Sequence, residues 1–184
     1  MNKKRKTQLI ILCTVFLLVA AAFILLKIYQ KNVPEEVPEE AAAYQVLDVE
    51  PSLVTEIGII TEEETTNLIR ENGTWKCLED EDFALDGDLI EAFLENICHL
   101  TSDLQIENAE DLSQYGLDTP VISVTLQWDS NMYTLKLGDY NSMISSYYVG
   151  VNDEPTVYTG DSSLYYTLNK SLEDFEKTET GEQQ

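Results

Sequence analysis

The chain has 184 residues, with 11 Lys and Arg, 34 Asp and Glu, and a formal net charge of −23. Residues 1–28 hold basic residues and no acid, while the remaining residues hold six Lys and Arg against all 34 acids. Because phosphate binding needs a basic face, this composition excludes a general nucleic-acid binder. It fits a solvated acidic surface, or a domain that meets cations or a basic partner.

The N-terminus has the pattern of a membrane anchor. Residues 9–26 read LIILCTVFLLVAAAFILL, in which Thr14 is the only polar residue, and this is about the minimum length of a spanning helix. Basic residues precede the run, so the positive-inside rule predicts a cytoplasmic stub at residues 1–8 and an anchor in the cytoplasmic membrane at residues 9–28. The alternative, a cleaved signal peptide, has a shorter apolar region of about 7–15 residues.

The next segment, residues 29–43, is predicted to be an extended linker. It contains Val-Pro-Glu-Glu twice; the prolines stiffen such a chain, and the carboxylates repel one another. We therefore expect it to hold an extracytoplasmic domain away from the membrane.

Residues 44–175 predict an α+β domain in which helices pack on an antiparallel sheet. Each of two units, at about residues 44–107 and 108–175, consists of a strand meander followed by a helix. The polar residues 176–184 predict a disordered tail.

The first unit starts with an apolar strand at residues 54–60. A hairpin follows, because Asn72 and Gly73 supply the positive φ angles of a tight turn. The main helix is capped by Asp86 or Asp88. Its apolar residues recur at helical spacing and are Leu89, Ile90, Phe93, Leu94, Ile97 and Leu100.

The second unit starts with the alternating strand VISVTLQW at residues 121–128. Further strands are predicted at residues 132–138, 145–151 and 156–160. Asp161 is predicted to cap a short helix that follows the last strand.

The segment NAEDLSQYGLDTP, residues 108–120, connects the two units and has the composition of an active-site loop. Local structural roles account for its pattern: Asn108 caps a short helix, and Gly116 takes the left-handed C′ position. Leu117 then contacts Leu112, and Pro120 stops the helix. We call this segment the joint, and its predicted structural residues are Asn108, Leu112, Tyr115, Gly116, Leu117, Asp118 and Pro120.

The segments DLSQYGLDTP, YTLKLGDYNSMISSYYVGV and TVYTGDSSL resemble the bacterial family called domain of unknown function 4340. Shared features are the Tyr-Gly-Leu-Asp-x-Pro segment, a strand that ends in Gly-Asp, a later Val-Tyr-Thr and an N-terminal membrane anchor. The resemblance covers about residues 47–175, although a DSN turn replaces Asp-Gly and Cys77 and Cys98 lie outside the pattern. It implies no assigned activity, and some relatives resemble accessory parts of ABC-type export or gliding machinery.

The sequence offers little catalytic or metal-binding chemistry. His99 is the single His, and its helix neighbour Cys98 points away from it. The sequence contains no nucleophile elbow, zinc set, phosphate loop or dinucleotide fingerprint. The acidic run at residues 79–88 fails as an EF-hand, because Ala84 and Phe93 occupy ligand positions, although weak calcium binding stays open. We expect no catalytic residue, no cofactor and no metal, and therefore not an enzyme.

Two cysteines lie in the predicted domain. Cys77 shares the inner face of its strand with Trp75, and Cys98 lies on the helix expected to cover that face. An extracytoplasmic setting permits a disulfide, but buried free Cys is common and the packing geometry is not fixed by the sequence, so both arrangements stay open.

Tyrosines crowd the second unit, and each Tyr-Tyr pair in a strand must place one ring outward. The predicted binding surface consists of Tyr140, Tyr147, Tyr148, Tyr165 and Tyr166. We expect a non-enzymatic extracytoplasmic domain that binds a protein partner in a cell-envelope or transport assembly. The alternative is a cell-wall or carbohydrate binding module that uses the Tyr-rich sheet face.

Overall fold

The structure is a computed structural model that describes residues 43–178. Its strands are β1 (Tyr44–Gln45), β2 (Glu56–Ile60), β3 (Thr65–Glu71), β4 (Thr74–Cys77), β5 (Thr101–Ser102), β6 (Gln105–Ile106), β7 (Ile122–Trp128), β8 (Asn131–Asn141), β9 (Ser146–Val151) and β10 (Val157–Asp161). Its α-helices are α1 (Gly87–Cys98) and α2 (Ser162–Leu168), and short 3-10 helices cover Pro51–Leu53, Leu112–Tyr115 and Glu173–Phe175.

The predicted stub and anchor, at residues 1–8 and 9–28, lie outside the described residues, as does the predicted linker at 29–43 except for its last residue. Within residues 43–178, no helix has the length and apolar character needed to cross a membrane.

The strands form one antiparallel sheet of eight, in the order β4-β3-β2-β7-β8-β9-β10-β6, while β1 pairs with β5 separately. The first meander is β2 to β4 and the second is β7 to β10. They join where β2 pairs with β7, with Ile57 opposite Leu126. The two predicted units therefore share a single sheet, and the expected α+β arrangement of antiparallel sheet and helices is confirmed.

Local turn chemistry sets two of the hairpins. Asn72 and Gly73 have φ angles of 52° and 81°, so the predicted tight turn between β3 and β4 is confirmed. The turn between β7 and β8 is also a two-residue loop, and Asp129 in it has a φ of 50°. Asp tolerates the left-handed region better than most residues, which explains how this turn forms without Gly.

Helix α1 covers one face of the sheet. Asp86 is its cap and accepts a hydrogen bond of 3.0 Å from the backbone N–H of Asp88. Ile90, Phe93, Leu94 and Ile97 are buried as predicted. Leu89 belongs to the same apolar pattern, but its side chain is 44% exposed and lines a groove beside α2.

The C-terminal segment packs back onto the start of α1. The ring of Phe175 meets that of Phe93 edge-on at 5.6 Å, and the backbone N–H of Asp86 donates to the Phe175 carbonyl at 2.8 Å. The backbone N–H of Lys177 donates to Ala84 O, also at 2.8 Å. The fold therefore extends two residues beyond the predicted boundary at residue 175, because this segment pairs with the chain before α1.

Both cysteines of this part of the chain are free and buried in the core. Burial raises the pKa of the Cys98 thiol from 9.0 to about 11, and Glu95 adds to the effect. The same thiol ionises near pH 9.0 when the chain unfolds. The contribution of this thiol to the free energy of unfolding is complete below pH 9. It is lost as the pH rises towards 11, because in that range the thiol releases its proton only in the unfolded state.

We expect the free energy of unfolding to fall by about 2 kcal/mol between pH 9 and 11 from this thiol, since one pKa unit corresponds to about 1.4 kcal/mol and part of the change falls outside this range. Urea unfolding of the wild type and Cys98→Ala over this pH range measures the effect. The substitution should flatten the pH dependence while lowering stability at all pH values through the cavity that it leaves. Parallel pH profiles for the two proteins would contradict the prediction.

Candidate binding site

Four of the five predicted tyrosines form a continuous row of rings. The centroid distance is 4.9 Å from Tyr140 to Tyr147, 5.7 Å from Tyr147 to Tyr165, and 5.5 Å from Tyr165 to Tyr166. The row crosses three elements, namely β8, β9 and α2. We call these four residues the tyrosine ladder.

A bulge in β8 brings the first two rings together. Leu137 lies opposite Val149, and the next paired residue, Tyr140, lies opposite Tyr147, so β8 carries one extra residue between them. Without that residue, Asp139 would lie opposite Tyr147. Residues directly opposite one another share a face of the sheet, so the bulge decides that a ring and not a carboxylate stands beside Tyr147.

The other two rings come from α2, which Asp161 positions. The Asp161 carboxylate accepts hydrogen bonds from the backbone N–H and the hydroxyl of Ser163, at 2.7 and 2.5 Å. These bonds lower the pKa of Asp161, and they confirm that it caps the helix. Gly160 lets α2 approach the sheet, because a Cβ there would lie 2.3 Å from Leu164 Cδ2.

The ladder is exposed at its ends and continues into an apolar loop. Tyr140 is 46% exposed and Tyr166 is 73% exposed, whereas the two rings between them are partly covered. Met143 and Ile144, in the loop that joins β8 to β9, are 93% and 46% exposed. This end of the sheet therefore presents aromatic and apolar side chains together.

Tyr148 does not belong to this surface, contrary to the predicted grouping. Its ring packs edge-on against Tyr115 at 4.9 Å, and its hydroxyl accepts a hydrogen bond of 2.6 Å from Asn141 Nδ2. Adjacent residues of a strand point to opposite faces, so Tyr148 lies on the other side of the sheet from Tyr147.

The joint has the helix end that was predicted but a different start. Gly116 has a φ of 68°, its N–H donates to Ser113 O at 3.1 Å, and Leu117 N–H donates to Leu112 O at 3.1 Å. This is the Schellman pattern, so the left-handed role of Gly116 is confirmed.

The start of that helix corrects the prediction that Asn108 is its cap. Asp111 is the cap, because its carboxylate accepts hydrogen bonds from the backbone N–H and hydroxyl of Ser113 at 3.0 and 2.6 Å. Asn108 instead turns the chain after β6 with a φ of 55°. The next residue, Ala109, donates its N–H to Pro155 O at 2.8 Å, which fixes this turn against the loop before β10.

The joint packs on the face of the sheet opposite the two helices. Leu117 is 1% exposed and lies over two glycines, since a Cβ at Gly138 or at Gly150 would come within 3.0 Å of its side chain. Asp118 and Thr119 are exposed and contact each other at 3.4 Å. No sequence pattern marked Gly138 or Gly150, because their role depends on a segment about 20 to 30 positions away.

Two adjoining grooves lie between α1 and α2. The first, which we call the polar groove, has a volume of about 360 Å³ and is lined mainly by Asn96, Thr101, Ser102, Asp103, Ser146, Thr159, Asp161, Ser163 and Thr167. The second, which we call the aromatic groove, has a volume of about 410 Å³ and includes Phe93, Tyr166, Lys170, Asp174 and Phe175. Asn96, Ser163 and Thr167 line both.

The residues considered for catalysis or metal binding are held apart. His99 Nδ1 lies 3.0 Å from an exposed Asp48 carboxylate, while the adjacent Cys98 is fully buried. Within the acidic run, Asp86 caps α1 and Glu79 accepts a hydrogen bond of 2.5 Å from Asn67 Nδ2. Among the described residues, no three His, Cys, Asp or Glu side chains are grouped in a way that could hold a metal ion.

The one Arg side chain among residues 43–178 has a structural position. Arg70 forms an ion pair with Glu91, and its guanidinium lies 4.5 Å from the centre of the Trp75 ring. Trp75 Nε1 also donates to Glu91 at 3.0 Å. The cluster ties α1 to β3 and β4.

Comparison with known proteins gives a family and no function. No curated protein and no solved structure matches the chain. The family model described as Domain of unknown function (DUF4340) matches residues 75–181, which is more than half of the chain. The joint, the tyrosine ladder and both helices fall within that match. The resemblance carried by the Tyr-Gly-Leu-Asp-x-Pro segment is thereby confirmed, and the chain belongs to the DUF4340 family.

Proposed function

We propose that this protein is a membrane-anchored, extracytoplasmic and non-enzymatic domain that binds a protein partner in a cell-envelope or transport assembly. The tyrosine ladder is the observation that carries the proposal. Its outer ring, Tyr166, is 73% exposed, and the neighbouring loop exposes 93% of Met143. Tyr and Met are enriched in protein interfaces, where rigid aromatic rings supply much of the binding energy.

The arrangement of the ladder also favours a protein partner. Each ring contacts the next, and Tyr147 and Tyr165 are held between their neighbours. Little side-chain entropy is therefore lost when a partner covers them. The anchored location is supported by the basic and then apolar N-terminus.

Photo-crosslinking in intact cells tests the partner. A photoreactive phenylalanine derivative is placed at Tyr166, at Met143 or, as a control, at Met132, which is 67% exposed at the β7–β8 hairpin. We expect the same discrete adduct from the first two positions and none from the control. The same adducts at all three positions, or none at Tyr166 and Met143, would contradict the proposed surface.

The proposed location is tested on the same cells. Protease added to intact cells or spheroplasts should remove a tag at the C-terminus, and the remaining anchored fragment should retain the N-terminal Met or its direct processing product. A protected tag would place the domain on the cytoplasmic side. A mature chain that begins near Phe23 would show a cleaved signal instead of an anchor.

The alternative is carbohydrate binding, which the aromatic groove favours. It places an exposed Tyr166 ring beside the amide of Asn96 and the hydroxyl of Thr167, and small-molecule sites combine apolar walls with a few polar groups in this way. Binding to purified cell-wall sacculi, with Tyr166→Ala as the variant, tests it. Binding that saturates and is lost in this variant would favour the alternative over a protein partner.

A further inference from the structure

We infer that the polar groove receives a basic side chain, Arg or Lys, from the protein partner that covers the tyrosine ladder. The inference rests on the proposed function and adds the chemistry of the partner. It follows from the position of the groove, the direction of its hydrogen bonds and its charge.

The groove and the ladder are neighbours. Ser146 lines the groove and precedes Tyr147, and Asp161, opposite Ser146 in the sheet, starts the helix that carries Tyr165 and Tyr166. A chain segment lying along the ladder therefore passes the mouth of the groove. A volume of about 360 Å³ lies within the range of about 300–1,000 Å³ that is usual for ligand pockets, and it accommodates a long side chain.

Four hydroxyl groups of the groove already use their hydrogens within the protein. Ser102 donates to Leu104 O at 2.7 Å, and Ser146 donates to Ile144 O at 3.1 Å. Ser163 donates to Asp161, and Thr167 donates to Ser163 O at 3.2 Å. A hydroxyl has one hydrogen and two lone pairs, so Ser146, Ser163 and Thr167 can offer a ligand only acceptor oxygens. The Ser102 oxygen already accepts from the backbone N–H groups of Leu104 and Thr159 and has no lone pair left.

Asn96 also offers an acceptor oxygen, although its amide keeps a second N–H that can donate. Its Nδ2 donates to Ala92 O at 2.7 Å, one turn earlier in α1, and this bond fixes the amide while its Oδ1 stays available as an acceptor. A groove that is rich in acceptors matches a ligand that is rich in donors. A guanidinium carries five N–H donors and an ammonium carries three, and neither has an acceptor.

The negative charge of the polar groove favours a cationic ligand over a neutral ligand that is equally rich in hydrogen-bond donors. Asp103 and Asp161 line the polar groove, and no basic residue does. Residues 43–178 contain 28 acidic residues and five Lys and Arg, so anionic lipid and nucleic acid are repelled. A second copy of this chain is disfavoured for the same reason, because like charges across an interface are costly. A ring such as Tyr166 next to the groove further favours a cation.

Chemical-shift mapping on the isotope-labelled full chain tests the groove without the partner. The probes are N-acetyl-arginine N-methylamide and its neutral citrulline counterpart, with chitotetraose as the carbohydrate arm. We expect saturable shifts at the amides of Ser102, Gly160 and Thr167 with the arginine probe, and at least about tenfold weaker binding of the citrulline probe. Equal binding of the two probes, or saturation by chitotetraose instead, would overturn the inference.

Matched charge variants separate a specific site from general attraction to an acidic protein. Asp103→Asn should weaken binding of the arginine probe about five- to tenfold. Asp118→Asn removes the same charge on the opposite face of the sheet and should leave it unchanged within about twofold. Thr167→Val removes an acceptor without a change of charge and should also weaken binding. An equal effect of Asp103→Asn and Asp118→Asn would show that the arginine probe is attracted by the negative charge of the whole protein, and it would reject a specific site in the groove.

The photo-crosslinking experiment distinguishes failure of the inference from failure of the proposed function. If adducts at Tyr166 and Met143 persist at full yield in Asp103→Asn, the proposed protein partner is supported. The inference that its basic side chain enters the polar groove is then rejected. A yield reduced about five- to tenfold in Asp103→Asn, with Asp118→Asn unaffected, would support both.

Discussion

Replacing Gly138 with Ala is expected to lower the free energy of unfolding by about 3 kcal/mol, at the upper end of the usual cost of overpacking. An added Cβ would lie 2.1 Å from Tyr115 O and 3.2 Å from Gly116 C. Both are backbone atoms of the joint, so no side-chain rotation relieves the clash. The joint would have to move off the sheet, which would uncover Leu117.

Gly116→Val tests the same packing from the joint itself. Its φ of 68° disfavours a β-branched residue, and an added Cβ would lie 2.8 Å from Asp139 N, so we expect a loss of about 2–3 kcal/mol. Asp118→Asn should leave stability nearly unchanged, because Asn can keep the hydrogen bonds of a turn Asp. If the joint were a catalytic site, the opposite ranking would be expected: Asp118→Asn would abolish function and leave stability unchanged.

Urea and thermal unfolding of residues 43–178 measure these effects. Gly87→Ala is the matched control for Gly138→Ala, because nothing lies within 4 Å of an added Cβ at this helical position, and it should leave stability unchanged or raise it slightly. If Gly138→Ala and Gly116→Val melted like the wild type, the structural role of the joint would be rejected and a functional site there would have to be reconsidered.

Replacing Phe175 with Ala should cost about 3–5 kcal/mol, the usual range for a buried Phe. The side chain is 2% exposed and its ring meets Phe93 edge-on. Its backbone carbonyl also accepts from Asp86 N at 2.8 Å, so loss of the ring weakens the closure of the chain over the start of α1. Phe175 is the last residue of the predicted domain at 44–175, in a segment whose sequence is mostly polar.

Tyr166→Ala is the matched control for Phe175→Ala, since it also removes an aromatic ring, and this ring is 73% exposed. We expect a change within about 0.5 kcal/mol. The comparison therefore separates rings that stabilise the fold from rings available to a partner. A large loss in Tyr166→Ala, or none in Phe175→Ala, would mean that these two positions have been assigned the wrong roles.

The family and much of the local structure follow from the sequence because they depend on residues close together in the chain. Asn72 and Gly73 make a tight turn, Asp86 and Asp161 cap helices, and Gly116 ends a short one. A few neighbouring backbone groups are sufficient for each of these, so the pattern can be read directly. The same local chemistry led to the wrong cap for the short helix of the joint, because Asn108 was predicted and the structure shows that Asp111 accepts the bonds.

Tertiary structure alone decided which distant residues meet. The pairing of β2 with β7 joins two meanders into one sheet, and a single extra residue in β8 sets Tyr140 opposite Tyr147. Neither register is encoded in a local pattern, because strand pairing depends on contacts made across the whole sheet. The composition determined that the protein is acidic and rich in tyrosine. The bulge and the packing of α2 decided that four tyrosines form one surface, with Tyr148 on the opposite face and an acceptor-rich groove beside them.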